Sequence, residues 1–305
     1  PGAKSFHFLA PGYGSVSNVP LGLANPYFAR MASSSSTTVL ADAVAQNPTF
    51  FTLSEIGGND VLGFALSGGD GSNPITPTTT FDYAFSTIVN GLSANDSKGV
   101  VANLPYITDL AHFTTVPYNP IPMSPGLATQ VNTAYAQYNG GLLFAQSNSL
   151  IDAAEVTKRT ISFAGGQNAV VIVDEDLTNL AAYGIPSYRQ ATADDLLVLT
   201  SSSFIGTLAD PNNPASVNGV GVPLADKWVL TPEEQLAIKT ATDAYNTTIE
   251  AAATANPNIA LVDFKGLLQE ASTGIVFDDY TMTTSLVTGG LISLDGVHLT
   301  SRGYA

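Results

Sequence analysis

Four short apolar runs, rich in β-branched and aromatic residues, constrain this chain most: Thr49 to Ile56, Gly99 to Leu104, Ala169 to Val173 and Ile259 to Phe264. None alternates apolar with polar residues in the manner of a sheet wetted on one face. They read as parallel strands buried on both sides. Helical stretches separate them, so the expected class is α/β with crossover connections. The clearest helix opens at Thr231-Pro-Glu-Glu234. There Thr231 can cap, Pro232 suits the first helical position, and Glu234 completes a capping box. Leu236 or Ile238, then Ala241, Tyr245, Ile249 and Ala252, form its apolar face, and Asn256-Pro257-Asn258 ends it. A second helical pattern runs Leu127, Val131, Ala134, Tyr138, Leu142, interrupted by Gly140-Gly141. Two more cover Phe81 to Leu92 and Thr38 to Gln46.

Between these elements lie long turn-rich loops, Ser67 to Pro77, Val116 to Pro125 and Leu208 to Pro214, whose serial prolines oppose helix and central strand. No internal repeat of solenoid period is present, and the echo of Tyr138-Asn139 in Tyr245-Asn246 is too short to carry weight.

At 305 residues the chain can bury a large core. Its charged fraction is 11%, which leaves Ser, Thr, Asn and Gly to cover much of the surface and suits a protein working outside the cytoplasm. The formal net charge of −15 repels phosphate backbones and anionic membranes, and no basic cluster offsets it, so nucleic acid is excluded as a partner. There are no cysteines, which removes disulfides and thiolate metal sites. No apolar run reaches the roughly 18 residues that a membrane span needs.

Two segments carry chemistry. Near the C-terminus, Asp295-Gly-Val-His298-Leu-Thr places a carboxylate three residues before an imidazole. Imidazole is the side chain that ordinarily gains and loses a proton around neutrality, and a carboxylate on its other nitrogen fixes the tautomer. The alternative is an Asp capping a turn with a surface His. After the first apolar run comes Gly57-Gly58-Asn59-Asp60. Gly57 and Gly58 let the backbone turn tightly off the strand, and the Asn59 amide is suited to bond a developing alkoxide. Asp60 is expected to hold the loop through backbone N–H groups. An ordinary turn accounts for the same four residues. His7 and His112 read as packed or surface histidines. Arg189 with Asp194 or Asp195 reads as a surface pair. Asp174-Glu-Asp176 reads as a solvated strand end or cap rather than a cation site, since no glycine-spaced calcium loop surrounds it.

Together, Gly57 to Asp60, Asp295 to His298 and the opening Pro1-Gly2-Ala3-Lys4-Ser5 resemble three blocks of the SGNH (GDSL-type) hydrolases, a family of esterases and lipases. The resemblance implies a three-layer α/β/α sandwich with a mainly parallel, flavodoxin-like sheet, formed as a single domain over 1–305. Residues 116 to 230 would be elaborated loops and helices. It implies His298 as base and Asp295 as orienter, with Asn59 and Gly2 as oxyanion-hole donors and Gly57, Gly58 and Asp60 as loop support. It also implies no cofactor, no metal, an acyl-ester substrate (lipid, small alcohol or sugar), and secretion or display at the cell surface.

The family's Gly-Asp-Ser-Leu block, which bears the nucleophile, is expected before Pro1. Gly69-Asp70-Gly71-Ser72 lies in a loop after the Gly-Gly-Asn-Asp segment and is rejected for that role. The chain is thus read as a fragment lacking this block and the C-terminal helix, unable by itself to turn over an ester. The other readings left open are an O-acetyl esterase acting on polysaccharide and a non-catalytic carbohydrate-binding protein on the same fold.

Overall fold

The structure is a computed structural model that describes residues 2–304. It is a mixed α/β protein, with a small parallel sheet and several antiparallel strand pairs. The chain divides into two compact units. One takes the N-terminal part up to Ala65 with Asn73–Asp109 and Leu236–Thr284; the other takes Leu66–Ser72, Leu110–Gln235 and the chain from Ser285 on.

The first unit holds the parallel sheet. Strand Lys98–Ala102 lies in the middle, with Phe50–Leu53 on one side and Ile259–Val262 on the other. These are three of the four apolar runs. Phe264, the last residue of the fourth, instead opens a helix, Phe264–Thr273, capped by the Asp263 carboxylate on the Gly266 N–H. Helix Thr78–Leu92 turns Phe81, Ala84, Phe85, Ile88, Val89 and Leu92 inward at three- and four-residue steps. Of the two candidates for the first apolar position of helix Pro232–Ala255, the buried one is Ile238; Leu236 is exposed. Tyr245, from the same buried face, stacks on Phe81 with ring centroids 4.1 Å apart.

An asparagine beside that tyrosine closes the sheet's edge chemistry. The Asn246 amide accepts from the Leu104 N–H at 2.7 Å and donates to the Leu104 carbonyl at 2.9 Å, so both backbone groups of a buried residue leaving the central strand are satisfied at once. Asn246→Ala orphans both and is expected to lower unfolding free energy by about 2–4 kcal/mol, read by denaturant titration. A loss under about 0.5 kcal/mol would show that the clamp is not needed.

The second unit repeats the device. In helix Pro125–Ser147, Asn139 clamps the N–H and C=O of Ile161 at 3.1 and 2.9 Å, and Asn132 does the same to Phe163 at 2.8 and 2.9 Å. The Tyr138–Asn139 and Tyr245–Asn246 echo therefore has a structural meaning: each tyrosine hydroxyl also donates to a backbone carbonyl, of Tyr188 and of Thr76. Gly140 and Gly141 do not interrupt their helix; Gly141 brings it against Ile185, where an added Cβ would stand 3.2 Å away.

Two expectations are corrected here. The run Ala169 to Val173 does contain a buried strand, Val171–Val173, but it pairs antiparallel with Tyr188–Gln190. A run buried on both faces looks the same in either direction. Arg189 is not at the surface. It is 1% exposed, its guanidinium donates two 2.6 Å bonds to Asp195, and its Nε donates to Asp174. Both carboxylates are paired with the one buried cation, and the group ties the ends of two strands together.

Candidate active site

In the first unit, the chain leaves strand Phe50–Leu53 and enters helix Gly58–Leu66 through Gly57. Its φ is +113°, and a Cβ there would meet Leu104 at 2.6 Å and Phe81 at 2.8 Å. Both the conformation and the space require glycine. Gly58 starts the helix with open space around it. Asp60, 1% exposed, accepts from the Ser5 N–H at 2.8 Å and the Ser5 hydroxyl at 2.7 Å. This buried carboxylate fastens the N-terminal segment to the turn. Alongside, the half-buried Asn59 donates from Nδ2 to the Ala3 carbonyl at 3.1 Å. Gly2, exposed and with φ +72°, stands next to Ala3. The structure thus brings the Gly2 segment and Asn59 together. An Asn amide has two hydrogens, so one donor remains after the bond to Ala3.

In the second unit, the Asp295–His298 loop is closed by the Ile292–Leu299 bridge and by the Ser293 N–H on the His298 carbonyl at 2.7 Å. One oxygen of Asp295 accepts from Ser293 Oγ and from the backbone N–H groups of Val297 and His298, at 2.7 to 3.0 Å. The other lies 2.7 Å from His298 Nδ1. Partial burial opposes ionisation, but the N–H of Val297, the His298 ring, Ser293 and the His298 N–H together hold this carboxyl far below the usual carboxylate range. An ionised carboxylate only accepts, so Nδ1 carries a proton, and in the neutral imidazole Nε2 is the nitrogen with the lone pair. The His298 side chain is 70% exposed, and no described residue bonds Nε2. Asp295 therefore caps the turn and bonds the histidine ring with the same carboxylate.

His112 is a packed histidine, one of the two readings its sequence allows. It is buried, its backbone N–H donates to the Gly296 carbonyl at 2.9 Å, and its Nδ1 lies 2.9 Å from the Asp295 carbonyl. A carbonyl cannot donate, so this Nδ1 is protonated. Gly296 has φ +75°, and a Cβ would come within 2.6 Å of the His112 nitrogen. His112 thus fixes the loop from behind, 183 positions away in sequence. Local sequence carries no sign of it beyond the histidine itself. His7 is packed: its ring stacks on Tyr13 at 4.7 Å, its Nδ1 accepts from the Lys4 N–H, and burial lowers its pKa.

Comparison with protein-family models, curated proteins and solved structures finds no match to this chain.

Proposed function

We propose that this chain belongs to a serine carboxylic-ester hydrolase of the SGNH (GDSL) type. Its nucleophile would be carried by the family's Gly-Asp-Ser-Leu block, which none of residues 1–305 supplies. The observation that carries the reading is the 2.7 Å pair between His298 Nδ1 and Asp295, with no described residue bonded to Nε2.

In this mechanism His298 Nε2 takes the proton from the serine hydroxyl as its oxygen attacks the ester carbonyl. The carbonyl oxygen becomes an oxyanion, and the family resemblance gives the donor roles to the Asn59 amide and the Gly2 N–H. His298 then returns the proton to the departing alcohol, leaving an acyl-enzyme that water hydrolyses by the same steps. Asp295 stays ionised and stabilises the imidazolium. No cofactor or metal enters this chemistry.

The finer fold, a three-layer α/β/α sandwich of flavodoxin-like order, belongs to the same proposal. Three parallel strands with helices between them support it. So does secretion or surface display, supported by the low charged fraction.

The test is hydrolysis by a protein that carries residues 1–305 together with a Gly-Asp-Ser-Leu block, assayed on short-acyl, long-acyl and acetylated-sugar esters. Turnover of any one supports the proposal, and preference for acetylated sugar identifies an O-acetyl esterase. A folded protein inert on all three would favour a binding module and refute the hydrolase.

A further inference from the structure

Three carboxylates from separate segments of the second unit meet beside the first turn of helix Pro232–Ala255. Glu175 follows strand Val171–Val173, Asp226 opens the short turn Asp226–Trp228, and Glu234 lies in the helix itself. One carboxylate oxygen from each lies within 4.8 Å of the other two. Glu234 forms the capping box read from the sequence: its Oε2 accepts from the Thr231 N–H at 2.7 Å and from the Thr231 hydroxyl at 3.0 Å. The cap uses only that oxygen. Glu234 is 7% exposed, and its Oε1 is buried with no hydrogen-bond partner; Gly69 packs so tightly against Oε1 that a side chain there would strike it. Asp226 Oδ1 is a second buried oxygen without a partner.

A buried acceptor left unsatisfied is destabilising, and two of them in one group suit a positive ligand. Nearby cations are engaged elsewhere. Arg189 is held by Asp174 and Asp195, Lys158 reaches Asp174 and Glu233 at 3.5 and 3.7 Å, and the Lys227 ammonium lies over the Trp228 ring at 5.1 Å.

We propose that Glu175, Asp226 and Glu234 form a binding site for a divalent cation of the calcium class. The donors are all hard oxygens, without the imidazole or thiolate that zinc selects. Oxygens bound 2.3–2.6 Å from one Ca²⁺ stand at most about 5 Å apart, which the 4.8 Å spacing meets. Carboxylates binding through one or both oxygens, with solvent completing the shell, reach the six to eight ligands this ion takes. The ion would tie the turn after strand Val171–Val173, the Asp226–Trp228 turn and the helix start into one knot. This inference stands apart from the hydrolase reading.

Trp228 is the chain's only tryptophan and lies two residues from Asp226, so a terbium ion bound here is excited through the indole. Titrating the chain with Tb³⁺ should give sensitised emission that saturates at one ion per chain and is displaced by Ca²⁺. Ca²⁺ should also raise the melting temperature. Glu175→Gln, at the exposed rim, should weaken Ca²⁺ binding roughly tenfold or more while leaving the far-ultraviolet circular dichroism unchanged; Asp226→Asn gives the same reading should the first variant not fold. Saturable emission without Ca²⁺ competition, a melting temperature indifferent to millimolar Ca²⁺, or carboxamide variants that bind Ca²⁺ as tightly as the parent would overturn the site.

Discussion

Replacing His298 by alanine, in the protein that includes the Gly-Asp-Ser-Leu block, is expected to lower kcat/KM on p-nitrophenyl acetate by roughly 10⁴-fold or more. Removal of the base strips the serine of its proton acceptor and the leaving alcohol of its donor. The fold should not suffer. The His298 side chain is 70% exposed, and Asp295 keeps the Ser293 hydroxyl and the Val297 N–H. The His298 backbone N–H that also bonds Asp295 survives the substitution. A surface truncation of this kind changes stability by about 0.5 kcal/mol or less, so melting temperature and activity separate cleanly. A loss of activity under tenfold would remove His298 from the mechanism.

Asn59→Ala is expected to lower kcat by about 10²–10³ with KM little changed, because an oxyanion donor acts on charge that develops only in the transition state. The side chain is half-buried, and among the described residues its one bond is to the Ala3 carbonyl. Asn59→Asp keeps the shape but replaces a donor by a negative charge, so it should be at least as damaging. If Asn59 served only to fasten the Ala3 segment, both variants would lower stability and leave kcat within a few-fold. Steady-state kinetics at saturating ester, set beside thermal unfolding, distinguishes the two.

Elements set by local pattern were legible. Strands Phe50–Leu53, Lys98–Ala102 and Ile259–Val262 are runs of β-branched and aromatic residues between turn signals, and the Thr231–Glu234 cap is a four-residue motif whose partners are neighbours. What sequence could not supply was pairing at a distance. The direction of Val171–Val173 depends on Tyr188–Gln190, which its own residues do not encode. Arg189 looked like any surface arginine because its burial comes from strands that close over it. In the candidate site, the Asp295–His298 bond follows from a spacing of three residues. The hold of His112 on Gly296, and of Asp60 on Ser5, joins positions far apart, and no periodicity reports it. The carboxylate group is the extreme case. Glu175 was visible only as part of an acidic strand end, and Glu234 only as a cap. Neither reading accounts for the oxygens that the fold leaves bare.

The central claim is that residues 1–305 supply the base, its orienter and the oxyanion donors, while the nucleophile belongs to the Gly-Asp-Ser-Leu block. Labelling with a fluorophosphonate, followed by intact-protein and peptide mass spectrometry, tests it most directly. One adduct per chain is expected on the serine of that block in a protein that carries it, lost in His298→Ala, and none on residues 1–305 alone. A stoichiometric adduct on any serine within 1–305, or labelling of the block-bearing protein that does not depend on His298, would contradict the claim.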